Sequence, residues 1–324
     1  MNSKQDGNLS SAAQENKLSL VKFKGLSSEA FQHPLDQTAT ENLKKLKGFD
    51  WVVKKFIEYN VERFSYIENI GNNIRVGPKQ MKKYYSMLQE CCDILDMPEP
   101  ELYVANGPVN AQTSGHNNPY IVLFTGLLQL MPDDAIRVVI AHELGHIKCG
   151  HVLYKTMASL IQPIMEIVGQ ATFGIGNLVG VALTSSLAVW NRRSELSADR
   201  AALLAVQCIE PCIDTMMFLS GGILGKLDYL DREQFINQSR TYQAVDDDTL
   251  GKFYKYFQTI DMTHPHCVER VHEIDIWYRS PHYEQLISGK MLGATNIKYC
   301  PTCKAIIQPG VKFCPSDGTP IPFR

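Results

Sequence analysis

Two histidines four residues apart constrain this chain more than any other feature. His142 and His146 enclose Glu143-Leu144-Gly145 and follow the apolar run Val138-Val139-Ile140-Ala141. Residues four apart on a helix share one face, so both imidazoles can reach one metal ion. The apolar run predicts that this helix is buried. Burying two imidazoles and a carboxylate without a metal or partners costs free energy. The fold must therefore bring a second element, with a further ligand, against the same face. Pro132 opens the helix, and Asp133 and Asp134 fill its first turn, where negative charge favours the helix dipole. The helix is expected to run through His146 towards His151.

Glu143 stands beside the first ligand and is placed to act as general base on a metal-bound water. A catalytic zinc needs a third protein ligand and an open fourth position. No third histidine follows on the His-x-x-Gly-x-x-His pattern. On a continuous helix, His151 would sit about 140° round from His146, which suits a supporting or structural histidine better than a ligand. The stronger candidate is Glu195, in Ser194-Glu195-Leu196-Ser197-Ala198-Asp199. It completes a set of two histidines and one glutamate. Asp199, one helical turn on, can accept a hydrogen bond from a zinc-bound imidazole and fix its tautomer.

These residues resemble the gluzincin metallopeptidases that include the HtpX proteases and the CAAX prenyl proteases. The resemblance rests on His142-Glu143-Leu144-Gly145-His146, Glu195-x-x-x-Asp199, Asn110-Ala111-Gln112-Thr113-Ser114-Gly115, and Thr263-His264-Pro265 followed by Arg270. The four motifs occur in family order over about half the chain. The resemblance implies a zincin-type domain and zinc-dependent endopeptidase activity on polypeptides. An edge strand near Asn110 to Gly115 can pair with an extended substrate through backbone hydrogen bonds at Asn110 and Ala111, or Asn110 is an ordinary turn residue. His264 either donates to the oxyanion formed at the zinc or packs structurally before Pro265. Arg270 either pairs with Asp199 or faces solvent.

The surrounding pattern predicts an α+β, mostly helical fold with a small sheet beside the active-site helix. Helices are expected over 36–46, 51–59, 79–95 and 193–206, and strands over 101–105, 110–114 and 120–124. Residues 1–28 read as a flexible polar tail, 29–290 as the peptidase domain, and 294–324 as a separate module. Lysine plus arginine is 32 and aspartate plus glutamate 34, so the net charge of -2 provides no field to gather nucleic acid, and no nucleic-acid partner is expected. Nine cysteines in scattered positions do not form a disulfide framework. The polar first sixteen residues carry no apolar signal core. A cytoplasmic location, with membrane association as an option, is the expectation.

Residues 152–191 form a weakly polar insert whose only charges are Lys155 and Glu166. His146 and Glu195 must meet at one metal, so a single membrane span between them is excluded, and forty residues barely allow two. A helical hairpin packed on the domain, a partner or a membrane surface is expected. The tail carries Cys300-Pro-Thr-Cys303, ten residues, then Cys314-Pro-Ser-Asp317. This resembles a zinc ribbon with Asp317 in place of the fourth cysteine, and zinc accepts carboxylate oxygen. A structural zinc on Cys300, Cys303, Cys314 and Asp317 is therefore the expectation, against a decayed ribbon held by its turns. A second functional reading is a non-catalytic adaptor binding partners through the insert and the ribbon. The intact Glu143 argues against it.

Overall fold

A computed structural model describes residues 20–46, 49, 53, 61–115, 117–158, 175–222, 230–245, 264–289, 298–299 and 306–307. Helix α1 (Pro34–Lys44) begins with proline at its first position and His33 as its cap, the imidazole accepting from the Leu35 amide. Helix α2 (Val61–Asn72) leads into strand β1 (Ile74–Arg75). Helix α3 (Lys82–Leu95) follows, burying Leu88, Cys91, Cys92 and Leu95 at helical spacing.

Strands β2 (Glu101–Ala105), β3 (Ala111–Ser114) and β4 (Tyr120–Phe124) join β1 in a mixed sheet of order β1-β2-β4-β3. β2 and β4 run parallel with Leu102 opposite Ile121; β3 turns back antiparallel on β4 with Thr113 opposite Ile121. β3 is thus an edge strand. Its alternation buries Ala111 and Thr113 and exposes Gln112.

After the short α4 (Thr125–Leu130) comes α5 (Asp133–Lys148), which carries both histidines. Every residue from Val138 to His146 is buried, as expected of a helix apolar on most of its circumference. The helix stops at Lys148 rather than continuing to His151. Gly150 adopts φ +71°, and the amides of Gly150 and His151 turn back to the carbonyls of Ile147 and His146. This is a glycine-capped terminus, a conformation that L side chains resist. It folds His151 back against His146, so the position expected from a continuous helix does not apply.

Helix α6 (Ile175–Val206) is one element of 32 residues. The sequence pattern begins it at Arg193, because Gly176, Gly180, Ser185 and Ser186 lower the local propensity; packing overrides that preference. Leu183, Leu187 and Trp190 recur at helical spacing and pack on Leu43, Phe49 and Met157 in a small second core. The Trp190 indole donates to Thr40 Oγ1 at 2.8 Å. Residues 152–158 are helical, and 159–174 lie outside the described residues. The described part of the insert therefore packs on α1. Among the described residues, no helix is long and apolar enough to cross a membrane.

Helices α7 (Ile209–Gly221), α8 (Arg232–Ala244), α9 (Cys267–Tyr278) and α10 (Pro281–Ile287) complete the fold. Pro281 starts α10 behind a Ser280 cap, inside the expected domain bounds of 29–290. Phe23 and Leu26, assigned from sequence to the tail, are buried in the main core with residues of α3, α5, α6 and α7. Strands β5 (Lys298–Tyr299) and β6 (Ile306–Ile307) pair antiparallel. The helix expected over 51–59 falls almost wholly outside the described residues, as do residues 1–19 and all four candidate ribbon ligands.

Candidate metal centre

The site forms where α5 crosses α6. The crossing is close because Gly145 has no side chain: a Cβ there would lie 2.7 Å from the Cβ of Ala201 and 2.9 Å from the Cα of Ala198. At this spacing Glu195 reaches both histidines. Its Oε2 is 3.1 Å from His142 Nε2 and its Oε1 is 3.2 Å from His146 Nε2. All three side chains are buried, and their ligand atoms lie within 4.8 Å of one another.

A tetrahedral zinc with bonds near 2.0–2.2 Å holds its ligand atoms about 3.3–3.5 Å apart. Each imidazole nitrogen stands at nearly that separation from one oxygen of Glu195, and one atom from each of the three residues can be taken with all within 4.8 Å, which suits such an ion. The electrostatics fit as well. Burial would raise the Glu195 carboxyl, yet His264, Lys155 and His146 hold it well below the usual range, so it stays ionised. Burial and the Lys155 ammonium hold His146 well below 6.5, so its imidazole is neutral. Burial opposes charge on His142, but hydrogen bonds to Asp199 and Glu195 outweigh it and raise that group to about 9. Metal ligation needs an ionised carboxylate and neutral imidazoles, so an ion held here would have to displace the His142 proton.

The surrounding residues hold the ligands. Asp199 Oδ1 lies 2.9 Å from His142 Nδ1. Arg270, from α9, grips Asp199 with two nitrogens, Nε donating to Oδ2 at 2.8 Å. Arg270 is buried and does not face solvent. Burial opposes its charge, but Asp199 and Glu195 hold its pKa above that of a free guanidinium. The Glu143 carboxylate accepts a hydrogen bond of 2.5 Å from Thr113 Oγ1 on β3. His264 Nε2 stands 3.6 Å from Glu195 Oε2, and its side chain is 40% exposed. Thr263 lies outside the described residues.

His142, Glu143, Glu195 and His264 line one cavity of about 490 Å³. Asn110 and Ala111, at the start of β3, border it, and Val139, Met216 and Phe235 supply apolar wall. The structure thus brings together every expected site residue among those it describes. It also adds four that the sequence reading missed. Thr113 lies inside a quoted motif but received no role. Lys155 places its ammonium 2.9 Å from Glu195 Oε1 and 3.0 Å from His146 Nε2. Its isolation as a charge in a weakly polar segment was a signal. Asp36 stands behind His151 and had no signal at all; Ser197, which donates to it, lies inside a quoted run but received no role.

Residues 78–278 match the model of Peptidase family M48. The plastoglobule-localized metallopeptidase 48 of Arabidopsis thaliana chloroplasts is 34% identical over 269 residues, covering 82% of this chain and 77% of that protein. Protease HtpX homolog 2 of Methanosarcina mazei is 22% identical over 225 residues, covering 62% and 74%. A protease HtpX homolog of Helicobacter acinonychis is 26% identical over 200 residues, covering 54% and 60%. No solved structure matches the chain. With three-fifths of its length matching the family and its histidine–glutamate cluster buried at the helix crossing, the chain belongs to the M48 metallopeptidases.

Proposed function

We propose that this metallopeptidase is a zinc endopeptidase with Glu143 as its general base. One observation carries the reading: His142, His146 and Glu195 converge within 4.8 Å on a cavity that Glu143 also lines. Zinc, when bound there, supplies a Lewis acid that polarises the scissile carbonyl and lowers the pKa of its water. The substrate lies extended along the free edge of β3, its backbone pairing near Asn110 and Ala111. Thr113 holds one oxygen of Glu143, a residue that lines the cavity. Glu143 takes the proton of the attacking water and returns it to the leaving amine. His264, partly exposed at the cavity, donates to the developing oxyanion. Asp199 and Arg270 hold His142 in the tautomer that presents Nε2 to the metal.

The test is Glu143→Gln on the full chain. Zinc content should match the wild type while turnover of unfolded casein falls by about 10²–10⁴, the usual contribution of a general base. Wild-type turnover in a zinc-loaded Glu143→Gln protein would refute the mechanism. The odd number and scattered spacing of the nine cysteines favour a reducing compartment such as the cytoplasm. The reading of Cys300, Cys303, Cys314 and Asp317 as a structural zinc site rests on their spacing alone.

A further inference from the structure

We propose that Asp36 is a positioning residue of the metal centre: acting through His151, it sets the tautomer and orientation of His146. Helix α1 then belongs to the working site although it lies outside the family-matched residues 78–278. The proposal rests on the metal-site reading above.

His146, His151 and Asp36 form a buried chain. His146 Nδ1 is 3.0 Å from His151 Nδ1, and His151 Nε2 is 2.9 Å from Asp36 Oδ2. Exposure of the three residues is 0%, 2% and 0%, so water does not compete along the chain. A neutral imidazole has one donor nitrogen and one acceptor, and an ionised carboxylate only accepts. Facing Asp36, His151 donates from Nε2, which leaves Nδ1 as an acceptor. His146 in turn donates from Nδ1, which leaves the lone pair on its Nε2. That is the atom 3.2 Å from Glu195 Oε1, in the ligand cluster. With the chain reversed, His151 would donate from Nδ1. His146 would then carry its proton on Nε2 and could not bind metal there.

Asp36 is itself fixed. Ser197 Oγ donates to its Oδ2 at 2.6 Å, Gln32 Nε2 to the same oxygen at 2.9 Å, and Thr40 Oγ1 to Oδ1 at 3.3 Å. It is the third residue of α1, in the first turn, where the helix dipole favours negative charge. Ser197 lies between Glu195 and Asp199 on α6, and its hydroxyl also accepts from the His33 amide. One carboxylate therefore ties α1 to both ligand-bearing helices. His142 has Asp199 directly behind it, whereas His146 has Asp36 behind it through a relay. The relay depends on the turn at Gly150 that returns His151 to His146.

The experiment uses the full chain. Asp36→Asn keeps the shape and removes the charge. Its zinc dissociation constant, measured by competition with a chelating dye, should rise about 10–100-fold, the usual cost of losing an outer partner of a ligating histidine. Circular dichroism would establish that the variant is folded. In zinc-loaded wild type with 15N-labelled histidine, NMR should place the His146 proton on Nδ1 and the His151 proton on Nε2. Wild-type zinc affinity in folded Asp36→Asn, or a His151 proton on Nδ1, would overturn the relay. If Asp36→Asn does not fold, the wild-type spectrum decides. A wild-type chain that binds no zinc would instead sink the metal centre, and the relay with it.

Discussion

Gly145 lies directly against Ala201, so close that a single added methyl would sit 2.7 Å from the alanine Cβ. Gly145→Ala should therefore push α5 and α6 apart. Overpacking of this kind costs about 1–3 kcal/mol, partly offset by the roughly 1 kcal/mol that alanine gains over glycine in a helix. The larger expected effect is on zinc, because Glu195 would be drawn away from both histidines. Urea unfolding and zinc titration should show a modest loss of stability with a clear loss of affinity. Unchanged zinc affinity would mean that the crossing distance does not set the site.

Thr113→Val keeps the shape of the side chain and removes the hydroxyl that holds Glu143. A hydrogen bond to a charged group contributes about 1.5–3 kcal/mol, so kcat should fall roughly 10–100-fold. Zinc content should stay at the wild-type level, since Thr113 touches no ligand. Loss of zinc in this variant would place Thr113 in the metal site rather than behind the base.

Acid should destabilise the protein through two buried histidines. Burial and the nearby Arg200 lower both His33 and His282 to about 4; Arg193 adds to this at His33, while Glu273 opposes it. Their folded values lie below the unfolded value of about 6.5, so the unfolded chain binds the extra protons. Stability is full above about pH 6.5 and falls as pH drops towards 4, by about 1.4 kcal/mol per pH unit for each histidine. His282 Nδ1 accepts from the Trp277 indole at 3.3 Å, a role that an amide oxygen can take over. His282→Asn should thus unfold in urea with a shallower pH dependence than the wild type between pH 6.5 and 4.5. Parallel slopes would show that His282 is not held neutral.

Zinc stoichiometry tests the terminal module. The full chain should bind two equivalents, and Cys300→Ser with Cys303→Ser should bind one while keeping peptidase activity. A single equivalent in the wild type would reduce the ribbon to a remnant.

The histidine–glutamate cluster was legible in the sequence because helical geometry is local. Residues four apart share a face, so His142 with His146, and Glu195 with Asp199, declare themselves without tertiary information. Asp36 is separated from His151 by 115 residues, and no spacing rule spans that gap. The Gly150 cap escaped notice for a different reason: an apolar period can continue on paper where a glycine has already turned the chain. Phe23 and Leu26 were read as tail because residues 1–28 are rich in serine, asparagine, glutamine and lysine, yet both are part of the core.

Glu195 and Trp190 belong to the same 32-residue helix, which packs on α1 through Trp190 and sets Glu195 beside the two histidines. Each residue of such a helix turns its face by about 100°. Deleting one residue between Trp190 and Glu195 would rotate the anchor away from α1 or the carboxylate away from the histidines. Over evolutionary time this stretch can lengthen or shorten only by steps close to whole turns. Descendants of this protein should vary freely in residue type there, and hardly at all in length.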